Sequence, residues 1–280
     1  MSERSGEQGF EAPELALDLG LELAKKGQFE RALTAFSEAI EQNHRCWKAH
    51  RCRGITYAKL GRHDLALADL DNAVGGDPRC AACLFERATA KMFLGQTESA
   101  LADLSQCLDT DQDFAPAYSS RAGIYFRMGD YHRALEDISA ALALRPDEVD
   151  YLHNRAVVLT ALERYREAIE EYLRVIELNP RSGGSYNNLA WLFATARDPG
   201  CRDCRKAIRY ARKALEFGRN GSWMDTLAAA YAECGDFEKA VAFEIEAYRL
   251  SRSNDNFRKR IEIYEHSKTY AQWRSQEGGR

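Results

Sequence analysis

The chain has 280 residues, 45% of them hydrophobic, with 39 Lys and Arg against 43 Asp and Glu for a formal net charge of −4. Its mean hydropathy of −0.51 and the lack of any apolar run of about 20 residues exclude a transmembrane helix. The near balance of charge excludes a general affinity for nucleic acid or anionic membrane, and 6 prolines leave little room for a loop-rich β protein.

Residues 1–12, which begin MSERSGEQGF, hold no apolar core of a secretory leader and read as a disordered tail. A cytoplasmic location with reduced thiols is the corresponding expectation. From Pro13 onward a period appears. Gly27, Gly61, Gly95 and Gly129 stand 34 residues apart, and Ala32, Ala66, Ala100, Ala134 and Ala168 keep the same step. Pro78, Pro146 and Pro180 share one further phase. The windows 13–46, 47–80, 81–114, 115–148 and 149–182 each show the three- and four-residue apolar spacing of two amphipathic helices. In the second window the first helix is expected from about Trp47 to Leu60 and the second from about Asp64 to Val74. Gly61 supplies the turn between them and Asp77-Pro78 the stop. Gly54, Ala66 and Ala73 are small where the two helices must approach. After Pro180 the spacing slips, because the turn ARDPGCRDC lengthens the sixth window, 183–220. The phase returns in 221–250 with Leu227, Tyr231, Gly235, Phe237, Ala240 and Ala247. In 251–280, Asn254 or Asp255 is expected to cap a last helix that carries Phe257, Ile261 and Tyr264 on one face, followed by a tail.

A 34-residue helical hairpin with the pattern L-G-x-x-Y…A-x-x-x-F…A…P resembles the tetratricopeptide repeat. Leu19-Gly20, Ala32 and Phe36 carry it in the first window. Gly54, Tyr57, Gly61, Ala66, Ala73 and Pro78 carry it in the second, and Tyr125, Gly129, Ala134, Ala141 and Pro146 in the fourth. The third and fifth windows depart from it, with Lys91 at the usual Tyr and Glu163 at the turn Gly. The run from Asn187 to Phe217 is similar to the terminal repeat pair of bacterial members, with Arg202-Asp203-Cys204 where those read RDG. A bacterial source is the expectation. The resemblance implies an all-α, right-handed superhelical solenoid of seven stacked helix–turn–helix hairpins. It also implies a non-catalytic scaffold that binds a protein or peptide.

Arg53, Arg87, Arg121 and Arg155 recur at the seventh position of their repeats, and Asp69, Asp103, Asp137 and Glu171 at the twenty-third. Where the first position is apolar the second is too, as in Leu19/Ala35, Leu189/Tyr210 and Leu227/Phe243. This covariation points to an internal ladder of Arg–carboxylate pairs. The eight cysteines include Cys80-x-x-Cys83 and Cys201-x-x-Cys204. Three repeats separate these pairs, too far for one shared zinc site, and Cys107 and Cys234 read as small core residues. No nucleophile–base–acid set and no phosphate loop is visible, so neither catalysis, nor a metal, nor a cofactor is expected.

In this family the first helices line a concave groove. On that resemblance the peptide-binding candidates are Phe85, Met92, Phe93, Phe126, Arg127, His153, Asn154, Asn187, Asn188 and Trp191. The amides would hold an extended backbone and the aromatics its side chains. The Lys/Asn/Asn/Lys/Arg clamp by which some members hold a C-terminal carboxylate finds no match: Arg51 fits it, while Ile55 and Glu86 do not. Leu17 and Leu21 on the inner face of the first repeat call for cover by the N-terminal segment around Phe10 or by a second copy in a homodimer. A metal- or redox-responsive role for Cys201/Cys204 is the weakest alternative.

Overall fold

The computed structural model describes residues 12–251 and 255–277, which form two compact units, 1–124 and 125–280. Phe10 and Asn254 lie outside the described residues. In the first unit the helices alternate as antiparallel pairs: α1 (Ala12–Lys25) with α2 (Phe29–Gln42), α3 (Trp47–Lys59) with α4 (His63–Gly76), and α5 (Ala81–Phe93) with α6 (Thr97–Thr110). Helix α7 (Ala115–Arg127) begins in this unit. The second unit continues with α8 (Tyr131–Leu144), α9 (Val149–Ala161), α10 (Tyr165–Leu178), α11 (Gly183–Thr195), α12 (Cys204–Leu215), α13 (Gly221–Glu233) and α14 (Phe237–Leu250). Two shorter helices, α15 (Asp255–Glu265) and α16 (Tyr270–Glu277), end it. The described residues are all-α, and no helix among them is long and apolar enough to cross a membrane.

Two local requirements explain the hairpins. Each tight turn needs one residue at positive φ: Gly27, Gly61, Gly95, Gly129 and Gly235 supply it at +72° to +80° without a Cβ penalty. Glu163 takes the same conformation at φ 59° and carries the strain of a non-glycine residue. Close helix contact is the second requirement. A Cβ on Gly54 would lie 2.9 Å from Leu70 Cγ and 3.1 Å from the Ala66 carbonyl oxygen.

Second helices turn their apolar stripe to the first helix of their own repeat and to that of the next one along. In the first unit Leu84, Leu104, Cys107 and Ile124 are wholly buried in one such cluster. In the second unit Tyr172, Leu189, Ala207 and Ala230 share another. Each fully buried leucine contributes about 2 kcal/mol of transfer free energy. A hairpin has a second apolar side that only a neighbour can cover, which is why Leu15 and Leu19 on α1 are 57% and 49% exposed. Leu17, in contrast to the sequence expectation, is packed against the Ala16 and Ala39 cluster.

The C-terminal segment differs from expectation in two ways. Phe257, Ile263 and Tyr264 are buried on α15, while Ile261 is only half-buried. Arg260 on the same helix points inward to an acid on α13. Where a tail was expected, α16 packs against α11 and α13.

Candidate functional site

The four arginines of the ladder sit on the first helices with their side chains turned toward the second. Arg53 grips Asp69 by two bonds, from Nε at 2.7 Å and Nη2 at 2.8 Å. Arg87 grips Asp103 in the same way at 2.8 and 2.7 Å. Arg155 pairs with Glu171. Asp137 is buried and Arg121 donates to Ser105 at 3.2 Å. Asp69 and Asp103 are buried, so their bonds with Arg53 and Arg87 are charge-assisted, bidentate contacts instead of screened surface pairs, while Arg155 reaches Glu171 by one bond. The bond to the acid raises the affinity of Arg53 and Arg87 for their protons.

Three of the four arginines have a further arm that sequence reasoning missed. Arg53 Nη1 donates to Ser37 Oγ at 2.9 Å, Arg87 Nη1 to Asp71 Oδ1 at 3.1 Å, and Arg121 Nη1 to Ser105 Oγ. Ser37, Asp71 and Ser105 lie 34 residues apart in the preceding repeats, so their phase was the available signal. One guanidinium thus ties its own hairpin together and joins it to the one before. Lys91, the departure at the usual Tyr, also reaches Asp103 at 2.7 Å.

The expected peptide-binding residues fall into three groups. Phe93, Arg127 and Asn154 are exposed. Phe93, 68% exposed, lies flat on the His63 ring with centroids 4.3 Å apart. Phe85, Met92 and Phe126 are half-buried: the first two pack on the core around Leu84, and Phe126 lies 5.3 Å from the Tyr131 ring. In the first unit Arg51 adds a buried Nε without a hydrogen-bond partner. Burial pushes the Glu86 carboxyl up, with Arg51 and Lys59 opposing the shift. The first unit therefore offers the exposed Phe93 ring and a buried Arg51 Nε with unused bonding capacity.

In the second unit several candidates are already engaged. His153 bonds Ser185 Oγ at 2.7 Å, and burial lowers the proton affinity of its ring. Asn188 Nδ2 donates to the Tyr172 hydroxyl at 3.3 Å. Trp191, expected as an open anchor, is covered: the Tyr270 ring of α16 lies 5.3 Å away and the Arg260 guanidinium 5.4 Å away. The covering helix was read as tail, so nothing in the sequence placed it there. Asn187 Oδ1 remains buried and unpartnered.

A family model described as the tetratricopeptide repeat matches residues 17–81, 85–149 and 121–183, together more than half of the chain. The chain belongs to the tetratricopeptide repeat family. Among solved structures, a tetratricopeptide repeat protein from Parabacteroides merdae shares the fold with TM-score 0.65 at 17% identity, covering 91% of this chain and 100% of its own. The C-terminal part of a repeat-containing protein from Cytophaga hutchinsonii gives TM-score 0.65 at 18% identity, with 88% and 99% covered. YrrB, described as a tetratricopeptide repeat protein with an unusual peptide-binding site, gives 0.54 at 18%, with 62% and 89% covered. No curated protein matches the chain in sequence.

Within this repeat framework the cysteines pair differently from the sequence reading. Cys80 and Cys83 form a disulfide at the start of α5, and Cys204 is joined to Cys234, with Cα atoms 5.2 Å apart in both pairs. Cys204 is therefore bound to Cys234 and not to Cys201, and Cys234 is not a free core residue. The α12–α13 connection brings together two residues separated by 30 positions, a proximity that spacing alone does not reveal. Cys201 is buried near Asp198, and burial pushes its thiol up, away from the reactive thiolate. Among the described residues no group of three or more His, Cys, Asp or Glu is gathered as for a metal ion. Arg202-Asp203 has a structural use: Asp203 caps α12 by accepting from Lys206 N at 3.0 Å, and Arg202 pairs with Glu233 on α13 at 2.9 Å.

Proposed function

We propose that the chain is a non-catalytic scaffold whose first helices bind an extended peptide or a partner helix. Tetratricopeptide repeats are protein-interaction modules, and the observation that carries the reading is α16. Its Tyr270 ring lies on Trp191, and the helix packs on α11 and α13, both first helices. This helical segment uses the surface the family pattern assigns to a partner. Phe93 with Arg51 and Glu86 in the first unit, and Asn154, Arg127 and Asn187 in the second, are the contacts left for an external ligand. YrrB, which shares the fold, is described as having an unusual peptide-binding site.

A displayed-peptide selection against the full chain tests it. Selected peptides are expected to lose more than tenfold in affinity for Phe93→Ala and for Asn154→Ala. Peptides bound equally by both variants overturn the groove assignment.

A second reading, self-association through α1, draws on the exposure of Leu15 and Leu19. Leu15→Glu/Leu19→Glu should abolish any concentration-dependent increase in sedimentation coefficient, and a wild-type coefficient independent of concentration excludes it. The two disulfides fit an oxidising compartment better than the expected cytoplasm. Thiol blocking before extraction, followed by mass spectrometry, decides between them.

A further inference from the structure

Helix α12 departs from every other second helix in charge. Helices α2, α4, α6, α8, α10 and α14 each carry more Asp and Glu than Lys and Arg, whereas α12 carries Arg205, Lys206, Arg209, Arg212 and Lys213 and no acid. Arg205/Arg209 and Arg209/Lys213 are like-charge pairs four residues apart, an arrangement that disfavours the helix. Among the described residues two acids at its ends answer them: Asp203 meets Lys206 at 3.3 Å and Glu216 meets Lys213 at 2.6 Å.

Beneath the cations lies an aromatic floor. Phe193 stacks on Tyr210 at 5.9 Å, Tyr210 neighbours Tyr186 at 6.1 Å, and Tyr186 stacks on Phe217 at 5.9 Å. Lys206, Arg209 and Lys213 lie over the Phe193, Tyr210 and Phe217 rings at 5.4, 4.6 and 5.5 Å. A ring quadrupole holds a cation in place without neutralising it. Side chains ordered in this way lose less entropy when a ligand arrives. Arg205, Arg209, Arg212 and Lys213 share one helical face and, with Tyr186 and Ile208, line an open groove.

We propose that this face of α12 is a second interaction surface, distinct from the first-helix groove, and that it takes an acidic segment of a protein partner carrying aromatic or apolar side chains. Carboxylates answer the guanidinium forks one by one, and the Tyr186/Tyr210 floor takes the apolar side chains. The extent of the patch favours a peptide over nucleic acid. Its 12 residues span about 18 Å. The adjoining second helices α10 and α14 are acidic, and so is the chain as a whole, so no extended basic track exists for a phosphate backbone.

The test is fluorescence anisotropy with a fluorescein-labelled peptide of about 12 residues, Glu and Asp with two Phe, against the full chain. Saturable binding is expected, weakening more than tenfold between about 50 and about 300 mM salt. Affinity should also fall more than tenfold in Arg205→Glu/Arg209→Glu, with Arg205→Gln/Arg209→Gln in between and the helical circular dichroism of each variant unchanged. Phe93→Ala should bind the probe as wild type does, which separates this surface from the groove. Absence of saturable binding overturns the proposal. So does equal affinity for the Gln/Asn version of the peptide, equal binding by the charge-reversed variant, or tighter binding of a labelled single-stranded DNA of similar length.

Discussion

The α5–α6 hairpin and the α13–α14 hairpin solve the same problem with opposite chemistry. In α5–α6 the seventh and twenty-third positions hold Arg87 and Asp103, joined by two bonds inside one repeat. In α13–α14 the same positions hold Leu227, buried, and Phe243, partly buried in the same cluster. The charges have moved to Asp225 and Glu244, both buried, and their counter-charge comes from outside the repeat. Arg260 on α15 meets Asp225 at 2.5 Å, with Phe257, Trp191 and Tyr270 around its guanidinium at 5.6, 5.4 and 5.1 Å. A repeat that has a neighbour on both sides can keep its ion pair to itself. The last repeat uses buried acids to hold a terminal helix. Two carboxyls for one arginine leave one in excess, and burial with Asp225 beside it pushes Glu244 up to about 10.

The largest expected effect comes from breaking the internal pair. Arg87→Leu leaves Asp103 buried with Lys91 alone and should cost about 3 kcal/mol. Converting the pair to the pattern of the last repeat, Arg87→Leu/Asp103→Phe, should recover most of that loss. Equal losses in the single and double variants, measured by denaturant unfolding, would break the comparison. Removing the external counter-charge is the next step down. Arg260→Ala should cost about 2 kcal/mol, softened because Asp225, buried without its partner, can take up a proton. Hydrogen exchange should quicken in α15 and α16 while α5 and α6 keep their protection.

Titration then distinguishes the two hairpins. Glu244 binds a proton in the folded chain up to about pH 10, whereas in the unfolded chain it loses that proton near its ordinary value of about 4.3. Between those limits the folded state holds more protons, so stability contributed here falls as pH rises. Asp225 on α13, Arg260 and Tyr264 on α15 are the charged and titratable neighbours in this cluster, and Asp225 shifts in the same direction. Glu244→Gln should flatten the melting temperature between about pH 5 and pH 9, with its greatest gain at the alkaline end. The smallest effect concerns a turn: Glu163→Gly should stabilise by about 0.5 kcal/mol, the relief of positive-φ strain less the entropy of glycine and the loss of the exposed pair with Arg197. Destabilisation on thermal melting would mean that the Arg197 pair outweighs the strain.

Much of this was legible from order alone. Glycines at a fixed period are turns because only they take positive φ freely, and alanines in phase mark close helix contacts. Arg and Asp exchange together with Leu and Phe because they touch. These are local or near-local constraints, so each leaves a mark in several repeats. Repetition makes the mark readable, and the hairpin fold and its Arg–acid spacing follow from it.

Tertiary structure alone decided the rest, because it involves residues that occur once. Cys204 meets Cys234 because α12 and α13 pack side by side, with the start of one beside the end of the other. Arg260 turns inward because two acids on another hairpin wait for it, against its ordinary preference for solvent. Helix α16, with little periodicity of its own, is held on the first helices by Tyr270 against Trp191. Single contacts between distant positions have no period, and a sequence read one residue at a time gives them no weight until folding brings the partners within reach.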